Sequence, residues 1–243
     1  MKNKLVFIGN SIVNGFPMSR GRSFPGLIRA AIKAGETSFH ADVINKGANG
    51  ETTADILGRF EHDVLDHEPR AVFIMTGTND FIYREAGPAG CMENLQRMAA
   101  LARGEAAGED APCAGDDRVK SACALGGPAE SAAPGEPGIL PVFLTPIAVD
   151  AEKAGRMWMA GLGIDYEEIN RQIGEFSEMI RGSGEWYIDT GAAWKEFTEA
   201  PAEEPLGGGA YLDGVHPTPE GYRFLADVVL KWLEEHAGQL GLR

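Results

Sequence analysis

Residues 71–76 read Ala-Val-Phe-Ile-Met-Thr, a run with almost no polar position on which a strand could show a wetted face. A strand of this kind is covered on both sides, as in a parallel sheet flanked by helices. Four further short runs rich in β-branched and aromatic residues, 4–8, 40–45, 140–145 and 185–189, read as its partners. Helical periodicity occupies 24–34, 52–65, 91–102, 166–181 and 219–236, so strands and helices alternate along the chain. The pattern predicts an α/β fold: a three-layer α/β/α sandwich around a five-stranded, doubly wound parallel sheet. A length of 243 residues suits one domain spanning 1–243. Ligands of such sheets bind beyond the carboxyl ends of the strands. Three polar motifs fall there, Gly-Asn-Ser after the first strand, Asn-Lys-Gly-Ala-Asn-Gly-Glu-Thr-Thr after the second and Gly-Thr-Asn-Asp after the third.

Two stretches break the alternation. Residues 103–138 are dominated by Ala, Gly, Pro and acidic residues, with Val119 and Leu125 as the larger aliphatics, too little to support a core. The expectation is a flexible insertion, with a lid or docking segment as the alternative. Residues 200–210, rich in Pro, Glu and Gly, read as a surface loop. A formal charge of -14 repels nucleic acid and anionic membrane surfaces, so neither is an expected partner. The lysines at the start precede an apolar run of five residues, shorter than the roughly 7 to 15 of a secretory signal. No stretch approaches the roughly 20 apolar residues of a spanning helix. The expectation is a soluble, cytoplasmic protein without integral membrane association. Cys91, Cys113 and Cys123 lack CxxC spacing and read as free thiols rather than disulfide partners or zinc ligands.

Ser11 follows the first strand in a Gly-containing turn, which suits either a presented nucleophile or a phosphate-binding loop. A serine hydroxyl needs a base, and Tyr211-Leu212-Asp213-Gly214-Val215-His216-Pro217 offers one with its own carboxylate. Asp213 can reach Nδ1 of His216 and leave Nε2 facing the serine. A turn-stabilising hydrogen bond is the bland reading of an isolated DxxH. Thr218 is placed to cap the helix that follows. Donors for an oxyanion are available at the N–H of Ser11, at Gly50 in a Gly-rich turn and at the side-chain amide of Asn79. Each also has a duller explanation, a tight turn for Gly50 and a cap for Asn79.

Taken together, Ser11, Gly50, Asn79 and His216 stand in order in four blocks, and the chain resembles the SGNH hydrolases, also called GDSL esterases/lipases. Asp213, three residues before the histidine, matches the family's third triad member. The resemblance covers most of the chain apart from 103–138 and 200–210. It implies a flavodoxin-like strand order, hydrolysis of small-molecule esters or thioesters, and a mechanism with neither metal nor cofactor. In that mechanism Ser11, Asp213 and His216 are catalytic, and Ser11, Gly50 and Asn79 form the oxyanion hole. One departure stands out: the family usually has Asp before the serine, and this chain has Asn10. Asn keeps the acceptor of the turn but loses the charge. Phe81, Ile82 and Tyr83 after the third strand, and Met157, Trp158 and Met159 after the fourth, are placed to line an acyl pocket or to be core. Short-chain esters, acetylated sugars, lysophospholipids and acyl thioesters all suit the constellation. The competing classes are a flavodoxin-like phosphate or flavin binder built on the 9–15 turn, and a partner-binding protein that has lost catalysis.

Overall fold

The computed structural model describes residues 3–105, 138–200 and 209–243. Most of the expected insertion at 103–138, most of the 200–210 loop, and Cys113 and Cys123 therefore lie outside the described residues. Five runs form strands: β1 (Lys4–Gly9), β2 (Asp42–Gly47), β3 (Ala71–Met75), β4 (Leu140–Leu144) and β5 (Trp186–Ile188). All neighbouring pairs are parallel, in the order β2-β1-β3-β4-β5. This is the flavodoxin-like order, with its switch point between β1 and β3.

The described helices are α1 (Ser11–Asn14), α2 (Phe24–Ala34), α3 (Thr53–Gly58), α4 (Phe60–Asp63), α5 (Thr78–Tyr83), α6 (Pro88–Arg103), α7 (Ala151–Met157), α8 (Tyr166–Arg181), α9 (Thr190–Glu199) and α10 (Pro219–His236). Strand periodicity divides them into two layers. Leu5 and Phe7 of β1, with Phe73 of β3, meet α1, α2, α9 and α10 on one face. Val6 and Ile8, with Ile74, meet α3 through α8 on the other. The central strands β1, β3 and β4 bury both sets of side chains, which is why AVFIM carries no polar alternation. The first face includes stacked rings of Phe7 and Phe73 at 4.6 Å, with Phe24 edge-on to Phe7 at 5.8 Å.

Three departures from the sequence reading have local causes. The helix expected over 52–65 breaks at Arg59, whose backbone leaves helical values (φ -115°, ψ 7°) directly after Gly58. Its guanidinium reaches the Lys46 carbonyl at 2.8 Å and the Glu51 carboxylate at 2.7 Å. A tertiary anchor thus outweighs the helical pattern. Helices α7 and α9 lie in stretches to which the sequence pattern assigned no element. Both begin at an aspartate cap, Asp150 accepting from the Lys153 N–H at 2.9 Å and Asp189 from the Ala192 N–H at 3.2 Å. The helix expected over 91–102 starts earlier, at Pro88, a residue suited to a first helical position.

Candidate active site

The polar motifs converge past the carboxyl ends of β1, β2 and β3. Ser11 is the first residue of the four-residue α1, and Asn10 caps that helix by accepting the Ile12 N–H at 3.1 Å. The sharp turn brings the serine out over the end of β1, where it is 8 % exposed. From the far end of the chain, 211–217 folds into a closed loop. Tyr211 and Pro217 form an antiparallel bridge, and the Leu212 N–H donates to the His216 carbonyl at 2.8 Å. Gly214 sits at φ +93°, and a Cβ there would stand 2.2 Å from the Ala154 nitrogen. Only glycine lets this loop lie so close to α7.

Within the loop, Asp213 gathers donors. One carboxylate oxygen accepts the N–H groups of Val215 at 3.0 Å and His216 at 2.8 Å, and the other lies 2.8 Å from His216 Nδ1. Burial alone would raise this carboxyl, but the His216 ring and the two backbone donors outweigh it and hold Asp213 below its ordinary value. An ionised carboxylate only accepts, so Nδ1 carries the proton and Nε2 is left as the acceptor. Nε2 lies 2.9 Å from Ser11 Oγ. The imidazole itself is 1 % exposed and edge-packed by Phe16 and Trp158, with ring centroids 4.7 and 4.6 Å away. The structure thus brings Asp213, His216 and Ser11 into one unbroken line.

The remaining sequence candidates are placed less uniformly. Gly50 occupies φ +78°, a left-handed turn that favours glycine. Asn79 is buried in α5, and its amide donates to the Glu51 carbonyl at 2.8 Å. That bond ties the β2 and β3 motifs together and uses one of the two amide hydrogens. Phe81 and Ile82 are buried against the second core and also face a cavity of about 750 Å³. Met159, Leu162, Ile164 and Ile169 complete its apolar walls, while Arg84, Glu85, Asp165 and Glu168 rim it. Met157 instead points outward, 58 % exposed, and is not part of this cavity. Trp158 is turned toward His216, and its indole nitrogen is buried without a hydrogen-bond partner.

Phe16, Thr53 and Asp80 belong to this neighbourhood without having been singled out by the sequence. Nothing in the local pattern of Phe16 points to a histidine 200 residues on. Asp80 did stand in the Gly-Thr-Asn-Asp motif, and that adjacency was its signal. Among the described residues no group of three or more His, Cys, Asp or Glu side chains is arranged to hold a metal ion. Nor is any described helix long and apolar enough to cross a membrane.

Residues 7–224 match the model of the GDSL-like Lipase/Acylhydrolase family. An arylesterase of Vibrio mimicus is 33 % identical over 98 residues, covering 40 % of this chain and 48 % of the relative. An acetylxylan esterase of Geobacillus stearothermophilus is 33 % identical over 86 residues, covering 32 % and 39 %. The matched stretches thus span less than half the length of either relative. The crystal structure of a lipase/acylhydrolase from Enterococcus faecalis superposes with a TM-score of 0.64 at 21 % identity, covering 96 % of each chain. At that identity the likeness speaks for the fold.

Proposed function

The chain belongs to the GDSL-like Lipase/Acylhydrolase family, and on that footing we propose that it hydrolyses carboxylic esters through an acyl-enzyme on Ser11. The observation that carries this reading is the continuous line from Asp213 through His216 to Ser11, with contacts of 2.8 and 2.9 Å. His216 takes the Ser11 proton as Oγ attacks the acyl carbon, then returns it to the leaving alcohol. Water, deprotonated by the same imidazole, attacks the acyl-enzyme and releases the acid. Asp213 holds the tautomer and stabilises the imidazolium. The N–H groups of Ser11 and Gly50 and the free hydrogen of the Asn79 amide receive the oxyanion. The alternative of a phosphate or flavin loop at 9–15 is disfavoured locally, because Asn10 already occupies the Ile12 N–H that such a loop would offer.

One of the two relatives is named an acetylxylan esterase, and its acetyl group favours esters of short acids here over lysophospholipids or thioesters. The cavity walled by Phe81, Ile82 and Met159 has no triad or oxyanion residue in its lining and joins the site only through α5, where Phe81 and Ile82 follow Asn79. Two experiments test the assignment. A fluorophosphonate should label wild-type protein at Ser11 and leave Ser11→Ala unlabelled. Nitrophenyl esters of increasing acyl length should show highest kcat/KM at the shortest chains. Unlabelled wild-type protein, or labelling that survives Ser11→Ala, would overturn the reading.

A further inference from the structure

Asp80 is fully buried beside the proposed oxyanion donors, yet the mechanism above gives it no task. Its carboxylate accepts from one residue twice over. The Thr53 N–H lies 2.9 and 3.2 Å from its two oxygens, and the Thr53 hydroxyl lies 2.6 Å from one of them. Thr53 is itself fully buried, and its hydroxyl accepts the Asn94 amide at 2.9 Å from α6. The Cys91 thiol, also on α6, reaches the same carboxylate. One residue earlier, Asn79 donates to the Glu51 carbonyl at 2.8 Å. Residues 79 and 80 thus grip residues 51 and 53 in opposite senses, one donating and one accepting.

The simplest account would make Asp80 a cap for α3. That helix already has one: Thr52 accepts the Asp55 N–H while Asp55 accepts the Thr52 N–H, a complete capping box. A buried carboxylate is also a costly way to satisfy one more amide, and burial has pushed this one up to about 6. What the double contact adds is geometry. Two donors on one residue, held by two oxygens of another, restrict distance and twist together. The restricted distance is the one between the turn carrying Gly50 and the helix carrying Asn79.

We infer that Asp80 is a positioning residue: through Thr53 it fixes the spacing of the Gly50 N–H and the Asn79 amide, the two oxyanion donors outside the serine turn. This rests on the serine-hydrolase reading above. Donors act fully only when aimed at the oxyanion's position, so a loosened clamp lowers kcat while leaving ground-state binding nearly unchanged.

The test compares Asp80→Asn, Thr53→Val and Thr53→Ser by kcat and KM on a short-chain nitrophenyl ester, by melting temperature, and by fluorophosphonate labelling. Asp80→Asn turns an amide toward the Thr53 donors, and Thr53→Val removes the hydroxyl at nearly constant shape. Both should lower kcat by about 10- to 100-fold with KM within about threefold, the scale of a sub-ångström to 1 Å misplacement. Thr53→Ser keeps both donors and should stay within about threefold of wild type. If Asp80→Asn fails to fold, the two Thr53 variants decide. A folded Thr53→Val that melts lower but keeps kcat within about twofold, with Ser11 still labelled, would overturn the inference alone and leave a structural bond. A wild-type protein that neither labels nor hydrolyses would overturn the parent reading and this one with it.

Discussion

Asp213, in the loop that carries His216, and Asp80, beside Asn79 on α5, have surroundings that treat the same carboxyl group in opposite ways. Asp213 lies in a rim loop with its side chain 20 % exposed, and three donors converge on it. Asp80 is enclosed among α3, α5 and α6, and desolvation dominates the Thr53 and Cys91 hydrogen bonds. One is held below its ordinary value and the other is raised to about 6. Burial is the largest influence on both, so the number and quality of donors decide the sign. An ionised carboxylate at the rim can stabilise a charge that appears during reaction. A walled-in one is suited to holding parts together.

If that division holds, the largest losses fall on the rim side. Ser11→Ala and His216→Ala should each lower kcat by about 10⁴-fold or more, and Asp213→Ala by on the order of 10⁴-fold, because the three act as one unit. Steady-state kinetics on folded protein would check this, and a tenth of wild-type kcat in Ser11→Ala would break the comparison at its root. Asn79→Ala comes next, at roughly 10²- to 10³-fold in kcat with KM nearly unchanged, the effect of losing one oxyanion donor. Its amide also binds Glu51, so a melting curve belongs beside the kinetics. Loss of about 1 kcal/mol of stability with full activity would reduce Asn79 to a structural tie.

How much of this could be read beforehand differs between the same two regions. The rim side was legible because Asp213 and His216 stand three residues apart, and because the two-sided strands announce where a sheet places its polar turns. The fold class follows from the same periodicity, and the strand order from the resemblance alone. The walled-in side was not legible. Thr53 and Asp80 are 27 residues apart, and neither type predicts a buried partner. Arg59 broke a helix whose periodicity ran straight through it, since its guanidinium serves carbonyl and carboxylate groups distant in sequence. Trp158, read as pocket lining, packs on His216, a contact set by how α7 approaches the loop rather than by local pattern.

The third way to sharpen the contrast is thermodynamic. The unfolded chain releases the Asp80 proton near 3.8 and the folded chain near 6, so folding retains a proton between those values. Stability from this group therefore falls by about 3 kcal/mol as pH rises from about 4 to 6, and then stays level. Asp213 runs the other way: its depressed folded value contributes stability above the ordinary carboxylate range, lost as pH falls through that folded value. Urea midpoints from pH 3 to 7.5 should show Asp80→Asn gaining on wild type as pH rises through 4 to 6. Asp213→Asn should lose ground only as pH rises to about the ordinary carboxylate value of 3.8, and run level with wild type above it. Parallel profiles for the two variants would mean that their environments do not differ as described.

The smallest effect is expected at Asn10, where an amide stands in place of the aspartate that the family resemblance leads one to expect. Its side-chain oxygen accepts the Ile12 N–H at 3.1 Å, and the residue is 2 % exposed. Asn10→Asp keeps that acceptor and strengthens the bond by charge, while placing the charge in a dry turn beside the developing oxyanion. The two consequences oppose each other, so the net change should be below about 1 kcal/mol in stability and below about tenfold in kcat. Asn10→Ala removes the acceptor without compensation and should cost about 1 kcal/mol. Melting temperatures and kcat on both variants separate the contributions. Were Asn10→Asp to raise or lower kcat by more than about 30-fold, charge rather than geometry would govern the serine turn, and Asn10 would join Asp213 on the side that tunes the chemistry.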